Sequence, residues 1–399
     1  MVRRPWLVMI AVTAIFFFAS ATTFQSMGIV VFAMQGDFHW TEAEAGGAFM
    51  ALVLVCAVAS LFPVSIIPRF GARRTIIAGG IVLAGAFLLA SSTRTLLTMY
   101  AAAGLSGLGF AFVANACGIF LIASWFGPRA PRMIGFYLMC GTLGGAVGPP
   151  VAEAIVSSDG GWRLHWQLMS VLALLLAALC AFFIKDPPET AHSPALTDGE
   201  ADAWTFRGTL TRPQFLVIAS AMVATQACVV TVSSVTASHF AHIGWPSDFA
   251  ARILALQGLI GAVASAFSGW ISERWDARSI LATGLLGEMV GMILLGSAHQ
   301  TWMSYAFTPA FGIGWAAVSL ATTVLLIQYF GNKRGMAGLS AIWMLCGAAA
   351  AGPPLAGLVA DLTGSFAPAL DVLGLLLLPS VVGTLMMTAP RRAIVEPAE

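Results

Sequence analysis

The chain has 399 residues, of which 59% are hydrophobic and only 9% are Asp, Glu, Lys or Arg. Soluble globular chains carry about 25% charged residues, and no water-soluble fold of this size hides so much apolar surface, so lipid is the solvent. The formal net charge of +1 gives nothing to attract nucleic acid. A spanning helix needs about 20 mostly apolar residues. The sequence offers twelve such runs, near 6–34, 45–67, 75–92, 95–125, 132–156, 165–184, 215–239, 248–272, 279–298, 302–330, 335–361 and 367–388. None alternates like an outer-membrane strand, so the expected class is an all-α membrane protein of twelve transmembrane helices. The first run follows Met1–Pro5 without a small-residue cleavage site, which makes it a span rather than a removed signal.

The longest polar stretch, Lys185 to Gln214, holds Asp186, Glu189, Asp198, Glu200 and Asp202 with Pro187, Pro188 and Pro194. It reads as a linker. It divides the chain into a six-helix unit 1–184, the linker 185–214 and a second six-helix unit 215–399. Basic residues set the orientation. With the N-terminus inside, Arg94, Arg163 and Arg252 are the three that fall outside, leaving sixteen of the 19 Lys and Arg on the cytoplasmic side. Both termini and the linker are therefore expected in the cytoplasm of a cell carrying this chain in its inner or plasma membrane.

A shift of 204–205 positions superposes the halves. Trp40 meets Trp245, Arg69 and Arg73 meet Arg274 and Arg278, Phe126-Gly127 meets Phe330-Gly331, and Gly148-Pro149-Pro150 meets Gly352-Pro353-Pro354. Parallel halves of this kind place a solute site at their interface near the bilayer midplane. Pro149 and Pro353 lack an N–H and free the carbonyls of Gly145 and Ala349, as a bending gate requires. Gly144 with Gly148, and Ala348 with Gly352, form small-residue faces for close packing. The six cysteines lie within apolar runs, and CxxC is absent. No phosphate-binding loop, nucleophile–base pair or metal-spaced histidine set is visible, so no enzyme activity, cofactor or metal is expected.

The loop 68–74 (Pro-Arg-Phe-Gly-Ala-Arg-Arg) and the loop with Gly269, Glu273, Arg274, Asp276 and Arg278 resemble the GxxxDRxGRR loop of the major facilitator superfamily. The second copy keeps the leading Gly and an acid, while the first has Val64 and Pro68 there. Phe38-His-Trp-Thr-Glu-Ala-Glu44, Arg69-Phe-Gly71-Ala-Arg73, Trp125-Phe126-Gly127 with Arg129 and Arg132, and Gly161-Trp162-Arg163 are similar to the monocarboxylate and oxalate–formate porter branch. The resemblance implies two pseudo-symmetric six-helix bundles working by alternating access as a monomer. It implies spans 1, 4, 7 and 10 lining a cavity that spans 2, 5, 8 and 11 frame. It also implies a gating or structural role for Arg69, Gly71, Arg73, Gly269, Glu273, Arg274, Arg278, Gly148, Pro149, Gly352 and Pro353.

Polar residues on such helices are costly in lipid and mark solute or ion paths. The substrate-contact candidates are Gln25, Asn115, Tyr137, Gln226, Gln257, Trp343 and Arg252. The plainer alternative for each is a bond or packing contact between helices. Glu153, four residues after Pro149, is the proton-coupling candidate, ahead of Glu288 in span 9. Asp361 and Asp371 read as structural residues at helix ends. Carboxylate porters of the branch carry an Arg in span 8, whereas Gly261 to Gly269 holds no basic residue and Ser265 stands in that stretch. Arg252 is the basic residue nearest the pathway. The expected function is secondary transport of a small organic solute, such as a monocarboxylate-type acid with protons. An efflux pump for neutral, amphipathic or toxic compounds and a non-translocating sensor remain open beside it.

Overall fold

The computed structural model describes residues 3–185, 206–272 and 274–388. Among them are twelve helices long and apolar enough to cross a membrane. Spans 1–6 are Pro5–Gln25, Glu42–Ala59, Ala72–Ser91, Leu96–Phe126, Arg132–Val156 and Gly161–Phe183. Spans 7–12 are Pro213–His242, Ser247–Phe267, Ala277–Gly296, Thr301–Gly331, Ala337–Thr363 and Ala367–Met386. Beyond span 1 the helix Met27–Phe38 continues the same path. A short helix, Phe206–Leu210, precedes span 7 within the stretch read as linker. Because each half has six spans, the starts of spans 1 and 7 and the ends of spans 6 and 12 share one face, called here the terminal face. The loops after spans 1, 3, 5, 7, 9 and 11 lie on the opposite, distal face.

Local sequence explains the helix starts. Thr41 and Glu44 form a reciprocal capping box at span 2, with Glu44 N–H donating to Thr41 Oγ1 at 3.2 Å and Thr41 N–H to Glu44 Oε2 at 2.9 Å. Thr95 and Thr98 do the same at span 4. The repeat has a structural counterpart at its paired glycines. Gly127 and Gly331 end spans 4 and 10 with φ of 51° and 80°, a left-handed conformation that costs glycine little.

The halves meet along two seams, span 2 against span 11 and span 5 against span 8. Small residues let the backbones touch. A Cβ on Gly148 would stand 2.5 Å from the Ala21 carbonyl oxygen, so span 5 lies directly on span 1. The paired Gly352 lies against Ala227 and Thr231 of span 7 in the same way. The two proline pairs behave differently. Helix Ala130–Val156 runs through Pro149 and Pro150, whereas span 11 tightens into a 3-10 stretch, Cys346–Ala351, before Gly352.

Gly148→Ala is expected to lower the thermal unfolding midpoint in detergent by several degrees, since overpacking costs about 1–3 kcal/mol. Gly36, which has open space around it, supplies the control. Gly36→Ala is expected to leave the midpoint unchanged, and equal midpoints for the two variants would contradict the packing account.

Candidate functional site

Span 1 departs from α-helical winding where it faces the second half. Ala21–Gln25 forms a π-helical turn, and Ser26 Oγ donates to the Ala21 carbonyl at 2.6 Å. Such turns are rare and occur often at functional sites. Gly144 and Gly148 of span 5 press on this turn, and its last residue, Gln25, projects into a cleft between the halves. The cleft is lined by Gln25, Thr142, Ser233, Gln257, Phe311 and Trp315, with Val229, Val232, Gly258 and Gly261 completing the wall. Its polar groups are two amides and two hydroxyls; none of these lining residues is charged. The wall thus combines hydrogen-bond donors, acceptors and aromatic faces, groups suited to an uncharged solute.

Of the residues expected to contact solute, the cleft brings Gln25 and Gln257 together. Tyr137 does not reach it. The ring is fully buried within the first half and stacks on Phe16 at 4.5 Å. Gln226 is half-buried on span 7, with a buried Oε1 that has no partner among the described residues. Trp343 is 37% exposed on span 11 and is not part of the wall. Asn115 opens the second segment of span 4 after the extended Ala114. Arg252 sits at the distal end of span 8, exposed, paired with Asp248 at 3.0 Å and lying over the Phe249 ring.

Above the cleft, the distal seams are held by acids reaching across the halves. Asp361, near the end of span 11, accepts the backbone N–H groups of Glu42 at 2.9 Å and Ala43 at 3.0 Å. It therefore caps the start of span 2, where the helix dipole favours negative charge. On the other seam, Glu153 of span 5 is buried, and its Oε1 accepts from Ser247 Oγ of span 8 at 2.6 Å and from Ser157 Oγ at 3.0 Å. Ser247 is the first residue of span 8's helix. A shift of 205 positions superposes Glu42 on Ser247, so both seams use the same site, a helix start met by an acid. Around Glu42, Gln35 Nε2 donates to Glu42 Oε2 at 2.9 Å, Ser238 Oγ donates to Gln35 Oε1 at 3.2 Å, and His242 Nε2 lies 3.2 Å from Glu42 Oε1. The bonds among these that cross the halves, made by Asp361, Glu153, Ser238 and His242, all lie toward the distal face.

The motif residues lie at the terminal face. Arg73 Nη2 donates to the Ala181 carbonyl at 2.6 Å, and Arg278 Nη1 donates to the Met387 carbonyl at 2.9 Å. Each guanidinium thus meets the negative end of the last helix of its own half. Arg278 also pairs with Asp276 at 3.1 Å. Gly71 turns the chain between spans 2 and 3 with φ 83°. Arg69 and Arg274 are exposed, Gly269 lies in the last turns of the helix Ser247–Ser272, and Glu273 lies outside the described residues. Pro149 and Pro353 are buried at the seams.

A family model described as Major Facilitator Superfamily matches residues 11–242, more than half of the chain. The chain belongs to the major facilitator superfamily. Among curated relatives, this superfamily member is 26% identical over 390 residues to monocarboxylate transporter 13 of Bos taurus, covering 94% of this chain and 87% of that one. It is 25% identical over 366 residues to monocarboxylate transporter 11 of Homo sapiens, covering 85% and 74%. Its fold matches the crystal structure of a bacterial homolog of the human lysosomal transporter Spinster, in an inward-facing and occupied conformation, at TM-score 0.80 and 14% identity over 98% of each chain. The protein is accordingly a multi-pass membrane transporter, and these relatives are transporters rather than enzymes.

Sequence reasoning missed Thr142, Ser233, Phe311 and Trp315 in the cleft, and Ser247 in the seam. The repeat carried a signal for Ser247, through its coincidence with Glu42. Asp361 was expected at a helix end, but its partner lies in the other half.

Each hydrogen bond to a charged acceptor contributes about 1.5–3 kcal/mol. Asp361→Ala, which removes two, is expected to open the distal side. A cysteine introduced as Ser233→Cys in the cleft should then react with a membrane-impermeant maleimide from the distal side about tenfold faster. An unchanged rate would show that the seam is held by packing alone.

Proposed function

We propose that this transporter carries a small monocarboxylic acid across the inner or plasma membrane, with the acid bound in its neutral, proton-carrying form. The single observation that supports this reading is a cleft built of amides, hydroxyls and aromatic rings with no charged group in its wall. A carboxylate moved there without a cation would lose its hydration against nothing, at a cost of several kcal/mol. A neutral acid needs only a donor and an acceptor for its carboxyl group, which Gln25 and Gln257 offer, and Phe311 with Trp315 suits its short carbon chain. The likeness to the monocarboxylate transporters of Bos taurus and Homo sapiens accords with the solute class.

In this reading the halves, 1–184 and 215–399, rock about the linker 185–214 as a monomer, with both termini cytoplasmic. The sealed distal seam is then the outer gate. Glu153 is the proton-responsive element of that gate. As a carboxylate it accepts two hydroxyl bonds, one of them across the halves, and protonation weakens both. An acidic exterior therefore favours opening on the side from which acid and proton enter.

The test is uptake of labelled short-chain acids into proteoliposomes over a range of external pH. Uptake should follow the concentration of neutral acid, falling about tenfold for each pH unit above the acid's own pKa. Gln257→Ala should raise KM about three- to tenfold, the equivalent of one hydrogen bond. Glu153→Gln should preserve exchange while losing the acceleration by external acid. Uptake that tracks the anion instead, or transport confined to export of neutral or amphipathic compounds, would replace this reading by the corresponding alternative.

A further inference from the structure

Glu288 has no role in the cleft or the seams, yet it is the most deeply buried acid described. It lies near the middle of span 9, Ala277–Gly296, with 0% exposure. Its Oε2 accepts one bond, from Thr225 Oγ1 of span 7 at 2.7 Å. Its Oε1 is buried without a partner among the described residues. The slot is shaped for this side chain. Gly314 of span 10 faces it, and a Cβ there would stand 2.8 Å from Glu288 Cγ.

The groups that share this packing do not offer a counter-charge. Cys228 of span 7 is the titratable neighbour. His239, also of span 7, is bound to the Leu295 carbonyl, and Asp371 of span 12 lies beside Gly296. Both are seven to eight residues along span 9 from Glu288, about 11–12 Å away at 1.5 Å rise per residue. Toward the terminal face, Arg278 is ten residues away, or about 15 Å, and is taken by Asp276 and Met387. Tyr329 of span 10 lies beside Arg278, and Tyr305 of the same span packs on Phe249 near the distal end.

We propose that Glu288 is a proton-binding site, and that span 7 links its occupancy to the solute. An ionised carboxylate at this depth would hold its charge against a single hydroxyl. That is an expensive arrangement in a dry bundle. A proton removes the charge. A purely structural side chain in this slot would be a leucine or a glutamine, so titration is what the acid adds. The link to transport lies in span 7. Thr225 bonds Glu288, and one to two turns further on Val229, Val232 and Ser233 form part of the cleft wall. A solute that moves span 7 moves the only hydrogen bond this carboxyl has among the described residues. Span 7's withdrawal or the entry of water is what lets the proton leave.

This inference rests on the proton-linked reading above, but its first test needs no solute. Infrared spectra of the full-length protein in lipid at neutral pH should show a carboxylic-acid carbonyl band that is absent from Glu288→Gln. The same band should shift in frequency in Thr225→Val, which folds around an isosteric side chain. The second test is solute exchange at a constant concentration of neutral acid. There Glu288→Gln should flatten the alkaline limb of the pH profile while keeping the rate at acidic pH within about twofold. Identical infrared spectra in wild type and Glu288→Gln would overturn the proposal, and so would an unchanged pH profile. A wild-type protein that moves no acid at all would instead overturn the monocarboxylate reading, and the infrared comparison would still decide whether Glu288 holds a proton.

Discussion

Two carboxylates hold this molecule in the conformation described. Asp361 and Glu153 each cross from one half to the first residues of a helix in the other. Helix starts present unpaired N–H groups and the positive end of a dipole, so an acid is the natural partner. The interaction is made from a few hydrogen bonds near the ends of the spans, where water can replace them. Everything below it follows. Spans 2 and 11 and spans 5 and 8 pack on each other beneath these bonds, and on the proposed reading the cleft at Gln25 and Gln257 is shut on that side.

Much of this frame was legible in the sequence, because it arises from local chemistry repeated twice. Gly127 and Gly331 share a left-handed turn, and Arg73 and Arg278 each reach the end of the last helix of their half. Both pairs were visible as coincidences at an offset of 204–205 positions. The features that were not legible depend on tertiary contact. Nothing in Ala21-Thr-Thr-Phe-Gln25 announces a π turn; it is set by Gly144 and Gly148 pressing from span 5 and by the Ser26 hydroxyl. Asp361 lies one turn beyond Gly357, the position that repeats Glu153, so the repeat did not pair the two acids. Tyr137 read as a pathway residue because it is polar, but its ring is absorbed by Phe16 in the first half's interior.

The chemistry of the cleft and that of the buried acid share one logic. Where the wall offers no cation, a charged solute costs more to admit than a neutral one. Where a carboxyl lies in the core without a counter-charge, the same cost favours its neutral form. On the proposed reading, a proton in both places stands in for a basic residue, which span 8 lacks between Gly261 and Gly269. The amphipathic cleft and the acid of span 9 are, on that reading, two parts of one solution to moving an acid through lipid.

The central claim is that the cross-half carboxylates keep the distal side shut. It is tested most directly by the distance between spin labels on Ser158 and Leu362, exposed distal positions in opposite halves, measured by pulsed electron resonance in lipid nanodiscs. A single short distance is expected for the native seams, and a second, longer population is expected when Asp361→Asn and Glu153→Gln are combined. A distribution that stays short and unimodal in the double variant would contradict the account.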